Sequence, residues 1–139
     1  MKINKIVLLI SFLVFVGSLS AQVVVIANKS VVETTISNTM AKDIYSLDVQ
    51  QWSNGKSIKV FDIKQDNAVK SSFYGFISSN ASNLKKIWLR AKLSGEGTPP
   101  TLLNTEEEIL TEVANTPDAI GYISSAKVTN AVKVLATIK

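Results

Sequence analysis

The stretch Asp66-Asn67-Ala68-Val69-Lys70-Ser71 gathers the chain's most useful chemistry into a few residues. It follows a run of strand formers, Ile58, Val60 and Phe61. It leads into a helical stripe, Val69, Phe73, Phe76 and Ile77, spaced i, i+4, i+7 and i+8. A loop that enters a helix presents free backbone N–H groups at the positive end of the helix dipole, which is a seat for an anion. Asp66 or Asn67 is placed to cap that helix. In such a seat Asn67, Ala68 and Val69 offer N–H groups. Asn67, Ser71 and, from the first loop, Ser30 offer side-chain contacts, and Lys70 supplies charge. The same pattern also describes an ordinary β–α connection.

Other chemistry is thinner. The chain has no Cys and no His, which excludes the usual zinc and copper sites and the His-based triads. Ser71-Ser72 therefore lack a His base, and they form no Ser-x-x-Lys pattern. Glu106-Glu107-Glu108 follow Thr105 as a capping box, and the carboxylates suit the positive end of the helix they begin. They read as helix starters rather than as metal ligands or general acids. No catalytic residue, metal site or cofactor is expected.

These residues need elements to hold them. Val23–Ile26 is a continuous β-branched run of the kind found in a buried parallel strand. Asn28-Lys29-Ser30 follows it as a turn, at the strand end where open α/β sheets bind ligands. Val31–Ile36 fits strand or helix. Ser37 caps a helix with the stripe Met40, Ile44 and Leu47. Trp52 anchors the Ser53-Asn54-Gly55 turn. Ser82 is expected to cap a third helix, with Leu84, Ile87, Trp88 and Ala91 on its inner face and Lys85, Lys86, Arg90 and Lys92 around the rest. Ser94–Pro100 is a loop. Ile109, Leu110 and Val113 face inward from the helix begun by Thr105. Ala119–Ile123 is a short strand whose Gly121 implies close backbone approach. Ser124-Ser125 begins a helical turn, and Val132–Ile138 alternates as an edge-like last strand. The expected order is strand, helix, strand, three helices, then two strands. This alternation is that of an α/β domain.

Residues 1–21 stand apart. Lys2 and Lys5 precede the apolar run Ile6–Val16 and the small-residue end Gly17–Ala21, the pattern of a secretory signal peptide with too short a run to span a membrane. The expected organisation is a leader over 1–21 and one α/β domain over 22–139, delivered to the periplasm or secreted. Without Lys2 and Lys5 the 15 basic residues fall to 13 against 11 acidic ones, a net charge of +2. That small surplus gives no reason to expect nucleic acid.

Several landmarks together resemble the phosphate-type periplasmic substrate-binding proteins of ABC transporters, and more closely their short single-lobe relatives. They are Ala41-Lys42-Asp43-Ile44-Tyr45, Gln51-Trp52-Ser53-Asn54-Gly55, Ile58–Phe73, Leu93–Pro100 and Thr116-Pro117-Asp118-Ala119-Ile120-Gly121-Tyr122-Ile123. The last is the most specific. The resemblance implies a three-layer lobe with a mixed, mostly parallel sheet flanked by helices. It also implies a solute-binding role, phosphate or another small oxyanion as ligand, and a membrane transporter or envelope protein as partner. In the family an Arg and a Gly-Ser-Gly-Thr turn hold the phosphate. Aligned on Phe73, the Arg falls near Ile63 and the turn on Asp66, Asn67, Ala68 and Val69, so none of that motif is kept. The alternative is a non-catalytic envelope interaction or structural protein that keeps the lobe and has lost the phosphate site.

Overall fold

A computed structural model describes residues 22–139; the expected leader, 1–21, lies outside the described residues. Five strands form one sheet in the order β3-β2-β4-β1-β5. They are β1 (Val23–Ala27), β2 (Lys59–Ile63), β3 (Thr101–Leu103), β4 (Ala119–Ser124) and β5 (Lys133–Ile138). The helices are α1 (Asn38–Tyr45), α2 (Ala68–Phe76), α3 (Ala81–Ser94) and α4 (Glu106–Asn115), with a 3-10 turn at Ser125–Lys127. The sheet is parallel through β3, β2 and β4. The α/β class and the mixed sheet match the expectation from sequence.

β1 departs from it in direction. Every residue of VVVIA is buried, yet the strand runs antiparallel to both neighbours, Val23 lying opposite Ser124 of β4 and Ile138 of β5. A continuous apolar run reports burial on both faces. Strand direction is set by partners nearly a hundred residues away, so the run alone does not encode it.

Two adjacent residues of β4 define the layers, because neighbouring side chains in a strand point to opposite faces. Gly121 faces α4. A Cβ there would lie 2.8 Å from Ile109 Cγ2 and 3.1 Å from Val113 Cγ2, so the close approach expected at this glycine is present. Tyr122 points the other way. Its ring stacks on Phe73 of α2, with centroids 4.1 Å apart and planes at 10°. Tyr45 of α1 meets Phe73 edge-on at 4.7 Å. The Trp88 indole of α3 donates to the Tyr45 carbonyl at 2.8 Å. α4 thus covers one face, and α1, α2 and α3 assemble over the other.

Helix starts follow local chemistry. Ser37, Asn67 and Thr105 each cap a helix by accepting from the N–H three residues on. Glu108 reaches back to the Asn104 N–H at 2.9 Å, one residue before the cap. The third helix begins earlier than expected: Asn80, not Ser82, is its cap and accepts from Asn83 N–H. Val31–Ile36 is neither strand nor helix. β3 went unread because three partly exposed residues after Pro99-Pro100 show no alternation.

Candidate functional site

β2 ends at Ile63, and Lys64–Asn67 carry the chain into α2. The Lys64 N–H donates to Leu103 O at 2.8 Å, which joins this loop to the end of β3. The α2 N-terminus therefore opens at the C-terminal edge of the parallel strands, the edge that binds ligands in open α/β sheets. Asn67 is extended (φ −152°, ψ 176°). Its Oδ1 accepts from Lys70 N–H at 2.8 Å, and its carbonyl from Ser71 N–H at 3.0 Å. Among the described residues, the backbone N–H groups of Ala68 and Val69 have no such partner. Ala68 is exposed and Val69 half-buried, so both donors remain for an anion, with the Asn67 N–H, which likewise has no partner among the described residues. The Asn67 side chain keeps only its amide NH2 for a ligand, and Ser71 is exposed beside it.

Lys70 does not project into solvent. It is 5% exposed, with Nζ 3.4 Å from the Lys64 carbonyl and 3.5 Å from Asp66 Oδ1. The ammonium also lies 5.4 Å from the centre of the Tyr74 ring. It braces the loop from beneath. The Asp66 carboxylate stands almost fully exposed at the mouth of the seat.

Ser30 is not part of this group. β1 is antiparallel, so its C-terminal end lies beside the start of β4, at the opposite edge of the sheet from α2's N-terminus. There Ser30 Oγ accepts from Asp118 N–H at 2.9 Å. Asn28 donates through Nδ2 to the carbonyls of Val113 and Ala114. Both residues tie the first loop to the α4–β4 turn, so the structure places Ser30 apart from the α2 N-terminus. Of the expected anion-site residues, Asn67, Ala68, Val69, Lys70 and Ser71 are brought together.

Beneath the seat is a cluster that sequence reading missed. Asp62 is wholly buried in β2. Its carboxylate accepts from the Tyr74 hydroxyl of α2 at 2.5 Å, from the Tyr122 hydroxyl of β4, and from Ile63 N–H at 2.9 Å. The Tyr45 hydroxyl donates to the Phe61 carbonyl at 2.7 Å. Burial, reinforced by the Asp62 charge, pushes all three tyrosine hydroxyls above their ordinary range. An isolated Asp inside the strand Lys59-Val60-Phe61-Asp62-Ile63 was the available signal, since a buried carboxylate requires partners. The cluster holds α2 to β2 and β4 and so fixes the direction of the α2 N-terminus.

No group of three or more Asp or Glu residues close enough to hold a metal occurs among the described residues. Among the described residues, no side chain hydrogen-bonds to Ser71 or Ser72.

Comparison with known proteins adds the fold. No protein-family model and no curated protein sequence matches the chain. Solved structures do. One, described as a phosphate ABC transporter substrate-binding protein with bound phosphate from Clostridium perfringens, aligns with a TM-score of 0.69 at 19% identity, over 83% of this chain and 45% of its own. An ABC-type phosphate transport receptor from Vibrio cholerae aligns at 0.65 and 16% identity, over 83% and 47%. PstS from Borrelia burgdorferi aligns at 0.62 and 15%, over 84% and 47%. The chain has the fold shared by these phosphate-type substrate-binding proteins and spans slightly under half their length. The likeness that the sequence landmarks carry is one of architecture.

Proposed function

We propose that this chain is a non-catalytic solute-binding module of the bacterial envelope. A small oxyanion such as phosphate sits at the N-terminus of α2. The observation that carries this reading is the pair of unpartnered N–H groups on Ala68 and Val69, at the ligand-binding edge of a fold whose solved examples include one with phosphate bound. The leader over 1–21 delivers the module to the periplasm or outside the cell, and a membrane transporter or another envelope protein receives it. Binding is weak and salt-sensitive. The seat is open to water, Lys70 is engaged with the loop, and Asp66 repels an anion.

The test is a calorimetric phosphate titration of the protein beginning at Gln22, at low salt, with sulfate as competitor. Asn67→Asp keeps a capping oxygen and adds a negative charge at the seat, so it abolishes the heat. Asp66→Asn removes the opposing charge and tightens binding by roughly 3- to 10-fold. No saturable heat at millimolar phosphate, from folded protein, overturns the reading.

A second reading has a specific observation in its favour. The buried Lys70 and its contacts with Lys64 and Asp66 close the loop upon itself, and the family's Arg and Gly-Ser-Gly-Thr turn is not kept. On this reading the lobe is an envelope interaction or structural protein without a phosphate site. A silent titration supports it.

A further inference from the structure

α3 carries a second apolar stripe that the fold does not use. Leu84, Trp88 and Ala91 face the core. On the opposite side Leu89 and Leu93 are 58% and 79% exposed, more than any other large apolar residue among those described. At 3.6 residues per turn the two leucines lie about 40° apart, one turn above the other. Lys85 and Lys92 flank them on one side, at about 40° and 60° from Leu89. Lys86 and Arg90 flank them on the other, at about 20° and 60° from Leu93. All four cations are exposed, and the helix contains no acidic residue.

We propose that this outer face of α3 seats the protein on an anionic lipid surface. The leucines enter the boundary between headgroups and acyl chains, while the lysine and arginine stems extend outward to lipid phosphates on both sides. The two-sided arrangement selects this occupant. A planar anionic layer meets cations on both flanks at once, whereas a protein partner needs carboxylates along both rims of an apolar strip.

A second copy of this chain is the competing occupant. Its acidic groove, about 260 Å³ between α4 and β3, is lined by Leu103, Glu107, Glu108, Thr111 and Glu112. Two of its carboxylates are already engaged. Glu107 pairs with Lys127 at 2.8 Å, and Glu108 accepts from Asn104 N–H. The groove also lies on the other face of the sheet from α3, so copies joined this way meet through unlike surfaces, and nothing in that contact closes the assembly. The same separation of charge turns α3 toward an anionic layer and the α4 carboxylates away from it.

The experiment is co-sedimentation of the protein beginning at Gln22, the residues that make up the whole described fold, with large vesicles. One set contains phosphatidylcholine and phosphatidylglycerol at roughly three to one, and the other contains phosphatidylcholine alone. Binding is expected to the anionic vesicles only, and to fall steeply with added salt. Lys85→Gln and Lys86→Gln each weaken it about five-fold. Leu93→Ser weakens it without changing the salt dependence, and Leu89→Ser does the same should one serine variant fail to fold. These side chains point into solvent, so unchanged thermal unfolding confirms that the variants are comparable. Absence of binding to anionic vesicles, equal binding to neutral ones, or indifference to both leucine substitutions overturns the proposal. Sedimentation equilibrium decides the rival: a dimer that Leu93→Ser dissociates, with no vesicle binding, assigns the face to a second copy and overturns the lipid reading. None of these outcomes depends on whether phosphate binds at α2.

Discussion

Asp62 places a carboxylate where no water reaches, and the fold answers with two tyrosine hydroxyls from different elements. Removing one side of such a group leaves the other unpaired, which costs more than the net value of the bonds themselves. Asp62→Ala is therefore expected to destabilise the protein by about 2–4 kcal/mol, because both Tyr74 and Tyr122 lose their acceptor. Urea unfolding followed by Trp fluorescence reads this directly, and a loss below about 1 kcal/mol contradicts the account. At this scale the sequence was half legible. A capping side chain at Asp66 or Asn67, with free N–H groups after it, follows from residue type and position, and the structure selects Asn67. The fate of Lys70 does not, because a lysine on a helix's first turn is equally able to reach solvent. Only the depth of the loop decides that it turns inward. The place of Ser30 is not legible for the same kind of reason: its neighbours are chosen by strand direction.

Elements with local signatures were the readable ones. α1, α2 and α4 each announce their first turn with a side chain that accepts from the N–H three residues on, and each then repeats apolar residues at helical spacing. β3 has neither alternation nor length, and its existence depends on β2 offering an edge. The packing of α4 on β4 leads to a sharp expectation. Gly121→Ala puts a methyl 2.8 Å from Ile109 Cγ2, and two packed elements must separate to admit it. The expected cost is about 1–3 kcal/mol. The double variant Gly121→Ala with Ile109→Leu, which removes the Cγ2 branch while keeping the side-chain volume, recovers part of that loss if the contact is its cause. Equal stability of Gly121→Ala and the parent, measured by thermal unfolding, disproves the close fit.

Across the molecule, the chain's three tyrosines are all buried, with hydroxyl pKa values raised by burial and by the Asp62 charge. The sign of the linkage follows. In the unfolded chain these groups ionise near pH 10; in the folded one they hold their protons higher. Their contribution to stability is therefore complete below about pH 10 and is lost as pH rises through the folded values. Phenolate absorbance is expected to appear together with loss of the near-ultraviolet circular dichroism, in one transition above pH 10. A tyrosine that ionises while the fold persists contradicts the burial of that ring. At the acid end Glu106 acts in the opposite sense. Burial alone raises its carboxyl, but hydrogen bonds from Ser124 and Lys127 outweigh this and hold it below the ordinary value. Its contribution is present above the unfolded value and disappears as pH falls through the folded one.

The position of β1 has a kinetic consequence. The first strand of the domain lies between the last two, and its partners are residues 119–124 and 133–138. Until those residues have left the ribosome, β1 lacks its neighbours, and the centre of the sheet cannot close. Pairings this distant in sequence make folding slow, because the chain must close a long loop before any contact rewards it. Synthesis in chain order thus delays closure of the sheet until β4 and β5 have both emerged. A sheet that closes this late leaves the earlier part of the chain unpaired, and so threadable, while β4 and β5 are still being made.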